Sequence, residues 1–154
     1  NNTSAIGLAF PEYDADQHKL GNKLRLFAED EALLNRCQCE QWLNRLKDYV
    51  YISSIKPVPE KLIGHACFKQ VKFNGSKGRM IRRRLKRTDE TLEQVLEHFK
   101  DFKEQLSPLP YIQSHSETNG HRFRLFIDMS IQNEPKYGVY SCYGLSNEFT
   151  VPLF

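Results

Sequence analysis

Residues 120–129, with the sequence GHRFRLFIDM, contain a strand pattern from which the prediction of the fold begins. Apolar side chains alternate at Phe123, Leu125 and Ile127, which predicts a strand over Phe123–Met129 with one face toward a core. Apolar or β-branched runs predict further strands at Ile6–Phe10, Lys23–Phe27, Val50–Ile55, His65–Phe73 and Gly138–Tyr143. Because helical patterns interrupt these short strands, we predict an α+β sandwich.

Three helices are predicted between the strands. The first begins at Ala28, with acidic residues near its start, and carries apolar positions as far as Leu46. A second helix runs from an N-cap at Ser76 to Arg87. Thr88 is predicted to cap a third helix, which Pro108 and Pro110 end. Its apolar positions at helical spacing are Leu92, Val95, Leu96, Phe99, Phe102 and Leu106.

Composition limits the class of protein. The chain is 40% hydrophobic and 12% aromatic, which is enough for an ordinary core and too much for a disordered protein. No apolar run has membrane-spanning length and no signal peptide opens the chain, so we expect a cytoplasmic protein without a membrane partner. The cysteines are not spaced as metal ligands, so we expect free thiols and no metal or cofactor.

The charges are distributed unevenly. Between Lys61 and Thr88 the chain has ten Lys or Arg residues and no Asp or Glu, although the whole chain carries a formal net charge of only +3. The remaining 126 residues therefore carry a net charge of −7. A basic block of this kind attracts polyanions through counterion release.

The basic block includes an amphipathic helix. With about 100° of rotation per residue, one stripe contains Arg79, Arg82, Arg83 and Lys86, and the opposite side contains Met80, Ile81 and Leu85. Arg84 falls near the apolar side and is expected to extend to solvent or to reach a partner. A solvated charged face is the plain alternative, but the missing acids and the preference for arginine favour nucleic-acid binding.

Five segments together resemble a known family. They are IGLAFP at 6–11, MIRRRLKR at 80–87, GHRFRLFI at 120–127, SCYGLS at 141–146 and VPLF at 151–154. In this order they resemble the type I-F CRISPR repeat-processing endoribonucleases. The resemblance implies a ferredoxin-like (RAMP-type) lobe over residues 1–58 that is N-terminally incomplete. It is followed by an RNA-binding lobe over 59–154 with its arginine-rich helix at about 76–87.

The resemblance also implies an activity and partners. Members of the family bind the hairpin of CRISPR repeat RNA and cleave at the base of its stem without a metal ion. They remain bound to the product as a subunit of the type I-F Cascade complex. The expected partners are therefore the crRNA hairpin and the other Cascade subunits, with target DNA met only through the complex.

The resemblance assigns RNA-binding roles residue by residue. Arg84 and Arg87 match residues that grip the stem, and Arg83 is their neighbour, whereas the helical wheel favours Arg79, Arg82, Arg83 and Lys86 for diffuse attraction. Gln70 and Lys72 align with base-reading positions but differ in residue type, so the repeat read here is expected to differ. Phe123 matches an aromatic residue that stacks on the terminal base pair. Strand alternation alone predicts instead that its ring faces the core.

The catalytic residues implied by the resemblance are Ser114, which would hold the 2′-hydroxyl, Tyr143, which would orient a histidine, and Ser116, which would line the pocket. The family's histidine precedes the segment matched by IGLAFP, so we expect it outside this chain. His115 and His121 flank the expected pocket and could replace it, because the pKa of histidine suits proton transfer.

Two other functions stay open from the sequence. A non-catalytic subunit that holds the hairpin would share every feature except the general base. A DNA-binding regulator is also possible, since a helix fits the major groove of B-form DNA, but the chain has no convincing helix-turn-helix pattern.

Overall fold

The computed structural model describes residues 3–73, 76–102, 107–116 and 118–154. Within them the strands are β1 (Thr3–Ser4), β2 (Gly7–Ala9), β3 (Arg25–Phe27), β4 (Gly64–Val71), β5 (Tyr111–His115), β6 (Arg122–Gln132), β7 (Tyr140–Ser141) and β8 (Val151–Leu153). The helices are α1 (Glu31–Arg36), α2 (Cys39–Trp42), α3 (Lys77–Leu85) and α4 (Leu92–His98), with a 3-10 turn over Asn44–Leu46. These antiparallel strands and short helices confirm the predicted α+β class and are consistent with a ferredoxin-like lobe.

The largest sheet has the strand order β5-β6-β4-β8 and is antiparallel throughout. Its central strand β6 pairs with β4 from Val71 opposite Phe126 to His65 opposite Gln132. Two smaller pairs, β1 with β7 and β2 with β3, complete the described sheets. The predicted strands at Ile6–Phe10, Lys23–Phe27, His65–Phe73, Phe123–Met129 and Gly138–Tyr143 are confirmed, although several are shorter than expected.

One face of β6 supplies the core. The buried cluster consists of Ala9, Phe10, Ala66, Phe68, Leu125, Ile127, Leu145 and Val151. The side chain of Ile127 is fully buried, which contributes about 1.5–3 kcal/mol to stability. The hydroxyl of Tyr13 donates a hydrogen bond of 3.0 Å to the carbonyl of Ile127, so the loop after β2 is tied to the sheet.

The strand predicted at Val50–Ile55 is wrong, because residues 50–63 lie in no helix or strand. Tyr49 is 86% exposed and Tyr51 is 91% exposed. A β-branched and aromatic run forms a strand only where another strand pairs with it, and no described strand pairs with this one.

The first predicted helix is present but broken. It begins where the sequence indicated, because the carboxylate of Asp30 accepts a hydrogen bond of 2.8 Å from the backbone of Ala32. Gln38 then adopts a left-handed conformation with φ of 47°, which ends α1 and starts α2. The predicted continuous helix to Leu46 is therefore three short pieces.

By contacts, the chain divides into two compact units, one of Asn1–Val71 with Leu109–Phe154 and the other of Lys72–Pro108. The second unit contains α3 and α4, which pack against each other, with Val95 fully buried. The lobe boundary predicted between residues 58 and 59 is a different division, and it stays a prediction.

The predicted third helix needs correction at both ends. It ends at His98 with Phe99 as its C-cap, so Phe102 lies beyond it, and the predicted positions 103–106 lie outside the described residues. Thr91, not Thr88, is the N-cap residue, and it forms a reciprocal capping box with Gln94. Both threonines precede acidic or amide side chains, so sequence alone could not separate them. The hydroxyl of Thr88 instead contacts the carboxylate of Glu90.

Candidate functional site

The arginine-rich helix α3 has a basic face and an apolar face. Exposed positions are Arg79, Arg82 and Arg83 within the helix, followed by Lys86 and Arg87. Half-buried positions are Met80, Ile81, Arg84 and Leu85. This agrees with the helical wheel, which placed the first three arginines and Lys86 on one stripe.

The ends of α3 suit its charge. Ser76 occupies the predicted N-cap position, but its side chain makes no capping hydrogen bond. The last turn contains Arg82, Arg83 and Arg84, whose positive charge complements the partial negative charge at a helix C-terminus. The helix therefore presents its arginines without an internal electrostatic conflict at that end.

Five exposed basic residues of α3 and its C-terminal end take part in no ion pair among the described residues. Within the described ranges, ion pairs engage Lys23, Lys69, Arg84 and Lys100. The exposed side chains of Arg79, Arg82, Arg83, Lys86 and Arg87 are in none of these pairs. Their charge is thus available to a polyanion, which would release counterions on binding.

Among the described ion pairs, one engages Arg84 of this helix. Its Nε and Nη2 atoms donate to the two carboxylate oxygens of Glu90 at 2.5 and 2.9 Å. The hydroxyl of Thr88 donates to Glu90 Oε2 at 2.9 Å. Hydrogen bonds from Arg84 and then from Thr88 lower the pKa of the Glu90 carboxyl to about 2. The sequence predicted that Arg84 would extend to solvent or reach a partner, and in the structure it reaches Glu90.

The hairpin of β5 and β6 carries the serines of the predicted active site. Ser114 lies opposite Phe123, and His115 lies opposite Arg122. Ser116 is half-buried at the turn, where its backbone N–H donates to the carbonyl of His121 at 2.9 Å. Phe123 is half-buried and packs against the core cluster, as strand alternation predicted.

The other face of this hairpin is polar and was missed from the sequence. Its exposed side chains are Tyr111, Gln113, His115, Arg122 and Arg124. The guanidinium carbon of Arg124 lies 4.6 Å from the ring centroid of Tyr111, which is a cation–π distance. Alternation was the available signal, because it places Arg122 and Arg124 on the face of β6 opposite to Phe123. His115 lies on this outer face and Ser114 on the inner one.

Tyr143 lies in a tight turn and is 40% exposed. The carbonyl of Gly144 accepts a hydrogen bond of 2.8 Å from Leu8, which joins the turn to β2. Gly144 has a φ of 69°, and an added Cβ would lie 2.5 Å from Leu8 Cγ, so another residue would not fit there. In the part of the chain that is described, no hydrogen bond connects Tyr143 with Ser114 or Ser116.

Gln70 and Lys72 flank Val71, the last residue of β4. Gln70 is half-buried opposite Ile127, and Lys72 is exposed just beyond the strand. Their base-reading role stays a prediction.

A search of the described residues finds no group of three His, Cys, Asp or Glu side chains arranged to hold a metal ion. All four cysteines, Cys37, Cys39, Cys67 and Cys142, are free. None of the helices described is long and apolar enough to cross a membrane.

Comparison with known proteins identifies close similarities. A model of the family described as CRISPR-associated protein (Cas_Csy4) matches residues 1–154. The chain is 33% identical over 150 residues to the CRISPR-associated endonuclease Cas6/Csy4 of Escherichia coli (strain UTI89 / UPEC), covering 97% of this chain and 79% of that protein. It is 31% identical over 153 residues to the protein of the same name from Pseudomonas aeruginosa (strain UCBPP-PA14), with the same two coverages.

Proposed function

Because the chain belongs to the CRISPR-associated Cas_Csy4 family, we propose that it is an endoribonuclease that binds and cleaves CRISPR repeat RNA. The proposal that the chain binds RNA rests on the basic face of α3. Arg79, Arg82 and Arg83 are exposed there and take part in no ion pair among the described residues. A solvated helix of ordinary composition would carry acidic partners on that face. The endonuclease names of the similar proteins support the cleavage half.

The preferred ligand is a short RNA hairpin. A regular A-form major groove is too narrow for side chains to read, so α3 requires a short stem with an accessible end or loop. Arg83, Arg84 and Arg87 would grip the stem, and Arg79, Arg82 and Lys86 would attract its phosphates. Gln70 and Lys72 would contact bases, and Phe123 would stack on the terminal base pair with the accessible part of its ring.

We propose that cleavage is independent of metal. The 2′-hydroxyl beside the scissile phosphate loses its proton, and the 2′-oxygen attacks phosphorus. The bond from phosphorus to the 5′-oxygen then breaks, and that oxygen takes a proton. The products are a 2′,3′-cyclic phosphate and a 5′-hydroxyl end. Ser114 would hold the 2′-hydroxyl, Ser116 would line the pocket and Tyr143 would orient the general base.

The general base stays unassigned. His115 and His121 are the histidines nearest in sequence to Ser114 and Ser116, and both are exposed. His115 lies on the outer face of its strand, opposite Arg122, whereas Ser114 lies on the inner face. After cleavage, the protein would stay on the product hairpin and join the other subunits of a type I-F Cascade complex, which meets target DNA.

A non-catalytic hairpin-binding subunit is the second candidate. One observation favours it: His115 lies on the exposed face of β5, whereas Ser114 lies on the half-buried face. Such a subunit would use the same basic face of α3 and would leave the RNA intact.

The test incubates the protein with its cognate repeat hairpin in EDTA and follows binding and cleavage on a gel. We expect tight binding and a cyclic-phosphate product. A hairpin with a 2′-deoxy group at the scissile nucleotide should bind equally well and stay intact, which controls for contaminating nucleases. Binding of intact RNA without cleavage would favour the second candidate, and preference for a DNA duplex would contradict both.

A further inference from the structure

The contact between Arg84 and Glu90 links the basic helix to the start of α4. Two parallel N–H···O bonds join the guanidinium to the carboxylate, and Thr88 donates a third hydrogen bond to the same group. A bidentate pair fixes the plane of an arginine more firmly than a single contact does. Arg84 therefore differs from the neighbouring Arg83, whose guanidinium has no acidic partner among the described residues.

The pair leaves part of Arg84 free to bind a ligand. A guanidinium has five N–H donors, and the contact to Glu90 uses only Nε and one hydrogen of Nη2. The edge formed by Nη1 and the second Nη2 hydrogen is a fork that fits two acceptor atoms in one plane. The Arg84 side chain is 31% exposed, so it is partly accessible to a ligand.

Pairing also changes what Arg84 contributes electrostatically. An arginine that is neutralised by a carboxylate adds little net charge to the helix, so it adds little to counterion release. It retains its directional donors, however. Because Glu90 neutralises the charge of Arg84 and fixes its orientation, Arg84 is better suited to select among RNA structures than to attract RNA in general.

We propose that Glu90 is a positioning residue, which holds Arg84 as a directional, charge-compensated fork for a planar pair of acceptors in the RNA stem. This inference rests on the proposed RNA-binding function. The acceptor pair is either two phosphate oxygens or the O6 and N7 atoms of a guanine, both of which match the arginine fork. The exposed stripe of Arg79, Arg82 and Arg83 supplies attraction, and the pair of Arg84 with Glu90 supplies discrimination.

The test measures dissociation constants for the cognate hairpin and for a hairpin of equal length with a scrambled stem. The ratio of the two constants should fall about tenfold in Glu90→Gln, because one well-made bidentate contact discriminates by roughly that factor. Glu93→Gln removes the same charge from an exposed position on α4 and should leave the ratio unchanged. In Arg84→Ala, adding Glu90→Gln should change the ratio no further.

Arg84→Lys guards against an effect on folding. Lysine keeps the positive charge and can still contact Glu90, but it has no second fork, so its discrimination should fall as in Glu90→Gln. Circular dichroism should show native helix content in both variants. An unchanged ratio in Glu90→Gln, additive effects of the two substitutions, or tighter cognate binding after removal of the carboxylate would overturn the proposal.

Two further experiments separate failure of the proposed function from failure of this inference and identify the acceptor that Arg84 binds. If the wild-type protein does not bind the hairpin at all, the proposed function fails and not only this inference. If replacing stem guanines by 7-deazaguanine lowers discrimination in the wild type but not in Arg84→Lys, the acceptor is guanine. If it lowers discrimination in neither protein while Glu90→Gln still lowers it, the positioned fork binds phosphate oxygens whose arrangement depends on the shape of the stem.

Discussion

Helix α3 and the β5–β6 hairpin both carry predicted RNA contacts, but they expose them differently. On α3 the basic side chains of Arg82 and Arg83 are exposed, while Met80 and Leu85 on the other side of the helix are half-buried. On the hairpin, Phe123 contributes to the core as well as being predicted to contact RNA. Substitutions in α3 can therefore change RNA binding without changing the stability of the fold. Substitution of Phe123 in the β5–β6 hairpin is expected to change both.

The largest effect is expected from removing the exposed stripe. Replacing Arg79, Arg82 and Arg83 together by alanine should weaken hairpin binding by about a thousandfold, because each lost charged hydrogen bond is worth about 1.5 kcal/mol. The slope of log affinity against log salt should become shallower by about two to three units. The free energy of unfolding should change little, since these side chains are exposed.

A matched variant removes three charges elsewhere. Arg45, Lys47 and Lys56 are exposed and lie outside the basic block. Their replacement by alanine lowers the net charge equally and should have a much smaller effect on binding. Equal losses in the two triple variants would mean that overall charge matters and that α3 is not the binding surface.

The residues predicted to act in cleavage should behave in the opposite way. Their substitution should slow RNA cleavage and leave RNA binding intact. Ser114→Ala and Tyr143→Phe should each lower the single-turnover cleavage rate by about a hundredfold, which is typical for loss of one positioned hydrogen bond at a reacting group. Hairpin affinity should stay within about twofold, because neither hydroxyl carries charge.

Neighbouring substitutions control for this result. Gln113→Ala changes the residue next to Ser114 on the outer face, and Tyr137→Phe removes a hydroxyl from a tyrosine that is 78% exposed. Both should cleave at the wild-type rate. A comparable loss in Gln113→Ala would attribute the effect to the strand and not to Ser114.

Substitutions of Phe123 test whether its role in core packing can be separated from its predicted role in RNA stacking. Phe123→Leu keeps most of the apolar volume, so it should destabilise the fold by less than about 1.5 kcal/mol. It removes the aromatic face and should weaken hairpin binding by about tenfold, as expected for one lost base stack. Phe126→Leu makes the same change at a half-buried position of β6 on the opposite face and should leave affinity unaltered. Equal affinity losses would make Phe123 a core residue only.

The smallest expected effect concerns the pH dependence of unfolding. The pKa of Glu90 is about 2 in the folded protein, below its ordinary value of 4.5, because Arg84 and Thr88 donate to the carboxylate. Its stabilising contribution is therefore present above about pH 4.5 and is lost as pH falls toward 2. In Glu90→Gln, thermal unfolding measured by circular dichroism should depend less on pH between these values. Glu93→Gln should retain the wild-type profile.

How much could be predicted from sequence differs between the same two regions. The faces of α3 were predicted correctly, because helical periodicity is local and the order of arginines and apolar residues determines it. The partner of Arg84 was not predictable, since Glu90 lies beyond the helix end and its reach depends on the turn between α3 and α4. The true cap, Thr91, differs from the predicted one for the same reason.

In the sheet, alternation predicted the strands but not their environment. The pattern in β6 identified Leu125 and Ile127 as core residues, and both are buried. The same pattern in Val50–Ile55 gave a false strand, because pairing depends on distant residues. The roles of Ser114, Ser116 and Tyr143 came from resemblance to a family and stay predictions, since no local pattern distinguishes them from ordinary strand and turn residues.

Residues 50–63, which form no helix or strand, have a practical consequence for handling the protein. Proteases need several residues in an extended, accessible conformation, and exposed segments without regular structure provide it. The neighbouring Tyr49 and Tyr51 are almost fully exposed, and both are chymotrypsin-type cleavage residues. Brief digestion of the folded protein should thus cut first at these tyrosines, which would divide the chain between α2 and β4 and spare the arginine-rich helix.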